Sequence, residues 1–217
     1  MSNTEASDVS LGGETAKATL AKFTMAVAGF VGTIAFARLL GPVGIGGYYL
    51  LMTVVKLSTR PIGGLSSAVQ KRLSESGFAV GEAMTVTTLA AVGWTALNIS
   101  AAYVFRDHLE SFVGFDDAVL AFGVLMGTLN LFILYQGALS ATGRIGWTRW
   151  LDTFRSYLTL PAQLALVWVG LGAAGMAYGE AIATVVLLFP LLHAIAAFER
   201  PTWKTAKSLW EYAKYSI

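Results

Sequence analysis

The stretch LLMTVVKLSTRPIGG, residues 50–64, decides how this chain is read. It is apolar enough to lie in a bilayer, yet Lys56 and Arg60 stand four residues apart within it, on one face of a helix. A charge at the bilayer centre costs about 2.5–3.5 kcal/mol on insertion scales, so two cations there need a physical reason. Two arrangements fit. Either the membrane helix ends near Arg60 and both side chains snorkel to the interface, or the helix continues and both line a water-filled cavity that holds an anion. Pro61 removes a backbone donor and Gly63 and Gly64 follow it, so a kink or break is expected at RPIGG.

The rest of the chain supports membrane insertion. Its 217 residues are 55% hydrophobic and only 13% charged, and the mean hydropathy is +0.62. A soluble chain carries about 25% charged residues. With no cysteine, neither a disulfide framework nor a thiolate metal site is available, and the two histidines, His108 and His193, fall in separate segments. The start is polar and lacks the basic end, short apolar core and cleavage site of a signal peptide. Residues 1–14 read as a disordered cytoplasmic tail, with Glu14 or Thr15 capping the first helix.

A crossing takes about 20 apolar residues. Six candidates appear, at roughly 20–40, 45–69, 83–105, 117–138, 153–171 and 175–197. The links GPVGIGG and GLGAAG are short and force antiparallel neighbours. The expected fold is therefore an all-α membrane protein. Residues 15–198 form a six-helix up-down bundle, and 199–217 form a basic amphipathic linker with the start of a seventh helix. Lys17, Lys22, Lys71, Arg72, Arg144, Arg149, Arg155, Arg200, Lys204 and Lys207 fall on one side, and Arg38 and Arg106 lie near span ends on the other. The positive-inside rule then makes both termini cytoplasmic in a multi-pass cell-membrane protein.

No catalytic constellation stands out, and an enzyme is not expected. GLGAAG matches a nucleotide-binding pattern in letters only, because it links two spans rather than following a strand. Asp116 and Asp117 read as the solvated start of span four, where acids suit the helix dipole. His108 reads as a surface residue and His193 as an interfacial one. GVLMG, Gly123 to Gly127, suits close helix packing. Gly143 is a C-cap candidate, and Trp147 and Trp150, beside Arg144 and Arg149, form an interfacial anchor. Asn98, Asn130, Gln136 and Gln163 suit interhelical hydrogen bonds. Glu180, near the outer end of span six, is placed to pair with Arg38 or Arg106 or to reach the interface, with a coupling role as the alternative.

GFVGTIAFARLLGPVGIGGYYLLMTVV followed by GGLSSAVQKRLSESG resembles the opening of polysaccharide-export flippases, the O-antigen-type translocases of the MATE-like superfamily. YQGALSATGR, GLGAAGMAYGEAIA and RPTWKTAKSLWEYAKYS follow in the order that family shows. The resemblance runs over about residues 14–217. It implies the N-terminal lobe of a two-lobed transporter that moves polyprenyl-pyrophosphate-linked oligosaccharide across the membrane. Its partners would be membrane lipid and a second lobe, either a missing C-terminal half or another copy. No cofactor, metal or nucleic acid is implied. Gly32 stands where related flippases often carry an arginine, and Arg38 fits the family's AR position. The resemblance also implies that span two continues to Gln70, which places Lys56 and Arg60 at membrane depth. Lys56, Arg60 and Arg38 are then the candidate pyrophosphate or cavity residues. Glu180, Asn130 and Gln136 are the candidate coupling or cavity residues. The competing functions are an ion-coupled small-molecule exporter of the same superfamily, with Glu180 as the coupling acid, and a non-transporting remnant or scaffold. A membrane-embedded glycosyltransferase would need acidic groups near a membrane face, and the cytoplasmic links lack an obvious set.

Overall fold

The computed structural model describes residues 11–74, 80–142, 145–195, 199 and 202–213. They form α1 (Leu11–Ser74), α2 (Val80–Val104), α3 (Arg106–Val113), α4 (Ala118–Ala141), α5 (Ile145–Leu166), a π-helical turn at Val167–Leu171, α6 (Gly172–Ile195) and α7 (Trp203–Ala213). No strand occurs among the described residues.

Two of the apolar segments are twice the length of one crossing: Gly29–Leu73 has 45 residues and Trp150–His193 has 44. Glycine divides each of them. Gly41, with φ 69° and ψ 175°, interrupts α1 just before Pro42. A side chain rarely adopts that backbone conformation, and glycine does so freely. Gly29 and Tyr48 line one cavity, although a straight helix would hold them about 28 Å apart. The two arms of α1, 11–40 and 42–74, therefore fold back toward each other. Gly170 (φ 98°) and Gly172 (φ 56°) make the corresponding turn between α5 and α6. With α4, and with α2, which bends by 83° into α3, these segments give three helices among the described residues that are long and apolar enough to cross a membrane, or four if the bent pair is one crossing. The chain is an all-α, multi-pass membrane protein.

The central helix is α4, which packs on α1, α2 and α6. Its Phe122, Leu125 and Met126 meet Tyr48, Leu51 and Val55 of α1 and Met176 and Ala177 of α6 in one apolar cluster. A second cluster joins Ile62 and Val69 of α1, Met84 of α2, Leu134 and Tyr135 of α4, Leu191 of α6 and Leu209 of α7. Helices approach most closely at glycines. A Cβ on Gly179 of α6 would lie 2.5 Å from the backbone nitrogen of Gln163 in α5. One on Gly137 of α4 would run into Ser66 of α1, and one on Gly47 into the carbonyl oxygen of Val113. Gly123 faces Ile99 of α2 at 3.4 Å, whereas Gly127 has open space, so only the first glycine of GVLMG mediates a helix contact.

Several sequence expectations need correction. The backbone passes Pro61 with helical torsions and runs on to Ser74; the interruption of α1 is at Gly41, not at RPIGG. Within a helix the missing proline donor removes one bond, and the packing of Val55 before it and of Ile62 and Val69 after it holds the segment. The first helix is already under way at Leu11, so Glu14 and Thr15 lie within its first turns rather than at its cap. The link FRDHLESF contains the eight-residue helix α3, closed by Gly114 with φ 79°, and His108 on it is exposed, as expected of a surface residue. The cap candidate Gly143 and Arg144 lie outside the described residues, as does the tail before Leu11. The segment read as a linker does fold as an amphipathic helix: α7 buries Thr205 and Leu209, and Thr202 and Thr205 both donate to the Glu82 carboxylate at 2.7 and 2.5 Å.

Candidate functional site: a closed charge network and an open polar stripe

A cavity of about 440 Å³ opens between the two arms of α1, α5 and α6. Its polar wall is a connected network. On α5, Arg155, Thr159 and Gln163 recur every four residues and so share a face. Glu180 comes from α6 and Tyr48 from the second arm of α1. The Tyr48 hydroxyl donates to Glu180 Oε2 at 2.5 Å, and Arg155 Nη1 donates to Glu180 Oε1 at 3.3 Å. Gln163 Nε2 donates to the Tyr48 hydroxyl and to the Met176 carbonyl, both at 3.0 Å. Arg155 Nε lies 3.6 Å from Asp152 Oδ1, and the guanidinium sits 5.4 Å from the centre of the Phe132 ring, a cation–π arrangement.

Both carboxylate oxygens of Glu180 thus have partners. A charge in a low-dielectric site is tolerated when it is paired and hydrogen-bonded. Glu180 meets that condition with its side chain 12% exposed; Arg155, 23% exposed, is paired through Nη1, while its buried Nε makes no hydrogen bond. The network ties three helices and holds the cavity wall in one arrangement.

Of the candidate substrate and coupling residues, Lys56, Arg60, Arg38, Glu180, Asn130 and Gln136, only Glu180 lines this cavity, and its partners are Arg155 and Tyr48 rather than Arg38 or Arg106. Arg106 instead pairs with Asp107 and Glu110. The expected pairing assumed that charges near the same membrane face meet. The Arg155 side chain instead reaches along α5 toward Glu180. Asn130 is fully buried and donates to Thr95 of α2 at 2.8 Å. Gln136 donates to the Thr148 carbonyl of α5 at 3.3 Å. Both tie α4 to a neighbour outside the cavity. Arg38 is exposed near the end of the first arm.

Lys56 and Arg60 occupy a different environment. Lys56 lies about 21 Å along the 33-residue arm 42–74, near its middle. Both residues are exposed, and neither has a described ion pair. They belong to a longer stripe of exposed polar residues: Tyr49, Thr53, Lys56, Arg60, Ser67 and Gln70. Steps of three, four and seven residues keep all six on one helix face. The stripe is about 32 Å long, close to the roughly 30 Å hydrocarbon thickness, and Tyr49 joins it to the cavity. Gly32, where a cation is absent, is buried against Leu160 of α5.

Tyr48, Arg155 and Gln163 were not recognised as one site. Arg155 had been read for topology and Gln163 as an isolated amide. The four-residue spacing on α5 was the one local signal.

These features define a multi-pass helical membrane protein with a charged, polar-walled cavity. The chain is similar to two curated archaeal proteins. The probable low-salt glycan biosynthesis flippase Agl15 of Haloferax volcanii is 31% identical over 192 residues, which is 87% of this chain and 40% of that protein. The probable flippase AglR of the same organism is 25% identical over 191 residues, 86% of this chain and 40% of the relative. The chain therefore spans about two fifths of the length of each. No protein-family model matches it, and no solved structure matches it significantly.

Proposed function

We propose that this chain is part of a membrane flippase that moves a lipid-linked oligosaccharide across the cell membrane during glycan biosynthesis. The observation that carries the reading is the exposed polar stripe on α1. A helix at membrane depth with two cations and four further polar residues on one exposed face is poorly matched to lipid tails. It suits a water-filled path along which a phosphate-bearing headgroup travels. In this reading Lys56 and Arg60 hold the pyrophosphate through charge-assisted hydrogen bonds, with Arg38 at the end of the path. Similarity to two probable flippases over most of the chain supports transport rather than catalysis.

A second lobe completes the path. The most apolar part of α1 is only 11% buried, against 56% in α4, which leaves a helix face free for that lobe. The lobes rock around the site, with both termini on the cytoplasmic side. The pairing of Glu180 with Arg155 favours a fixed structural charge over the coupling acid of an ion-driven exporter. Asn130 and Gln136 keep the wall rigid through their contacts between helices.

The test uses the full-length protein in proteoliposomes and a fluorescent polyprenyl-pyrophosphate oligosaccharide. Translocation is read as loss of access to an added glycosidase. The Lys56→Ala/Arg60→Ala variant is expected to insert normally and lose translocation. Full translocation by that variant would overturn the assignment.

A further inference from the structure

We infer that the cavity at Arg155 and Glu180 selects uncharged, hydroxyl-rich sugars over sugars that carry a carboxylate or sulfate. The inference rests on the flippase reading and assigns the sugar end of the substrate to a place separate from the phosphate end.

Three observations carry it. The first is charge. Among the described residues lining the cavity, Arg155 is the one cation and Glu180 the one anion, and they are already paired at 3.3 Å. Asp152 holds the other side of the guanidinium at 3.6 Å. An incoming anion must compete with two carboxylates for one arginine. It must also displace Glu180, and a buried carboxylate stripped of its cation is strongly disfavoured.

The second is the direction of the hydrogen bonds made by the wall's aliphatic hydroxyls, which lie beside the Tyr49 and Tyr157 phenols. Thr33 donates to the Gly29 carbonyl at 2.9 Å, Ser156 to that of Asp152 at 3.0 Å and Thr159 to that of Arg155 at 2.8 Å. Each of these hydroxyls has used its only proton within its own helix, so it presents oxygen lone pairs to the cavity. Lone pairs attract a ligand that donates. A neutral sugar is rich in O–H donors, whereas a carboxylate or sulfate group is acceptor-only. The third is size. About 440 Å³ falls within the roughly 300–1,000 Å³ typical of small-ligand sites.

The experiment places the full-length protein in lipid nanodiscs at pH 7. Methyl β-glucoside and methyl β-glucuronide are compared as probes by saturation-transfer NMR. The glucoside is expected to bind at least five times more tightly. Glu180→Gln removes the competing charge and is expected to bring the two within about twofold. Thr159→Val, which leaves the ion pair intact, is expected to weaken the glucoside at least twofold, and it carries the test if the Glu180 variant fails to fold. Equal or tighter binding of the glucuronide to the natural protein, or no signal from either probe, overturns the inference. The Lys56→Ala/Arg60→Ala protein separates the two readings. Sugar preference is expected to persist there, so preference without dependence of translocation on the cations would sink the flippase assignment alone. Lost translocation with no preference would sink the sugar assignment alone.

Discussion

Arg155 and Arg60 are both arginines in apolar helices, and their surroundings are opposite. Arg155 is held by Glu180, Asp152 and the face of Phe132, and the Glu180 carboxylate is held in turn by Tyr48. Arg60 and its neighbour Lys56 stand on an exposed polar stripe without a described ion pair. The first region has its charges paired within the chain, although the buried Arg155 Nε makes no hydrogen bond, and so contributes to holding the fold. The second has its hydrogen-bonding capacity open and so is available to something outside the chain. A charge in an apolar helix is thus not one kind of signal; its partners decide whether it is taken up by the fold or left open.

The contrast can be broken by measurement. The largest stability effect is expected for Glu180→Ala, which leaves Arg155 with only Asp152. Breaking a buried ion pair from one side typically costs about 3 kcal/mol. Thermal unfolding in nanodiscs reads it, and a change below about 0.5 kcal/mol, the ordinary surface range, would show that the network is not structural. Next comes Gly179→Ala, because the new Cβ meets the Gln163 backbone at 2.5–2.6 Å, where no side chain can swing aside. Overpacking of that kind costs about 1–3 kcal/mol. It also pushes Gln163 from Tyr48, so a lowered unfolding midpoint should be accompanied by weaker glucoside binding.

Tyr48→Phe should cost less, about 1 kcal/mol for the lost hydrogen bonds, since Arg155 still neutralises Glu180. If it matched Glu180→Ala in unfolding assays, the tyrosine rather than the arginine would be the main partner of the acid. The smallest stability change is expected for Lys56→Ala and Arg60→Ala, each within about 0.5 kcal/mol, alongside the loss of translocation expected for the double variant. A large fall in midpoint for either single variant would place it with Arg155 as a structural residue.

Much of the fold was legible because the bilayer imposes a simple rule on sequence. Backbone groups must be bonded internally, so spans are long, apolar and helical, and glycine-rich links mark where they turn. The break at Gly41 fell inside the quoted link GPVGIGG for that reason. Proline was a weaker guide: Pro61, Pro161 and Pro190 all lie within helices, where each removes only one backbone bond. Helix α3 was not anticipated because its amphipathic pattern lasts only eight residues after an 83° bend, about two turns.

The site divides along the same line. The stripe is local, a matter of spacing along one helix, so its two cations and their shared face could be read directly from residues 50–64. What the sequence alone determined was a membrane-spanning helical chain and the presence of two cations on one face of an apolar helix. Only the tertiary structure decided which charge is matched and which is left open. Tyr48 and Glu180 are 132 positions apart, and no local pattern links them. They meet because Gly179 lets α5 and α6 touch and because α1 folds back at Gly41, and a buried carboxylate is stable only where such distant groups converge on it.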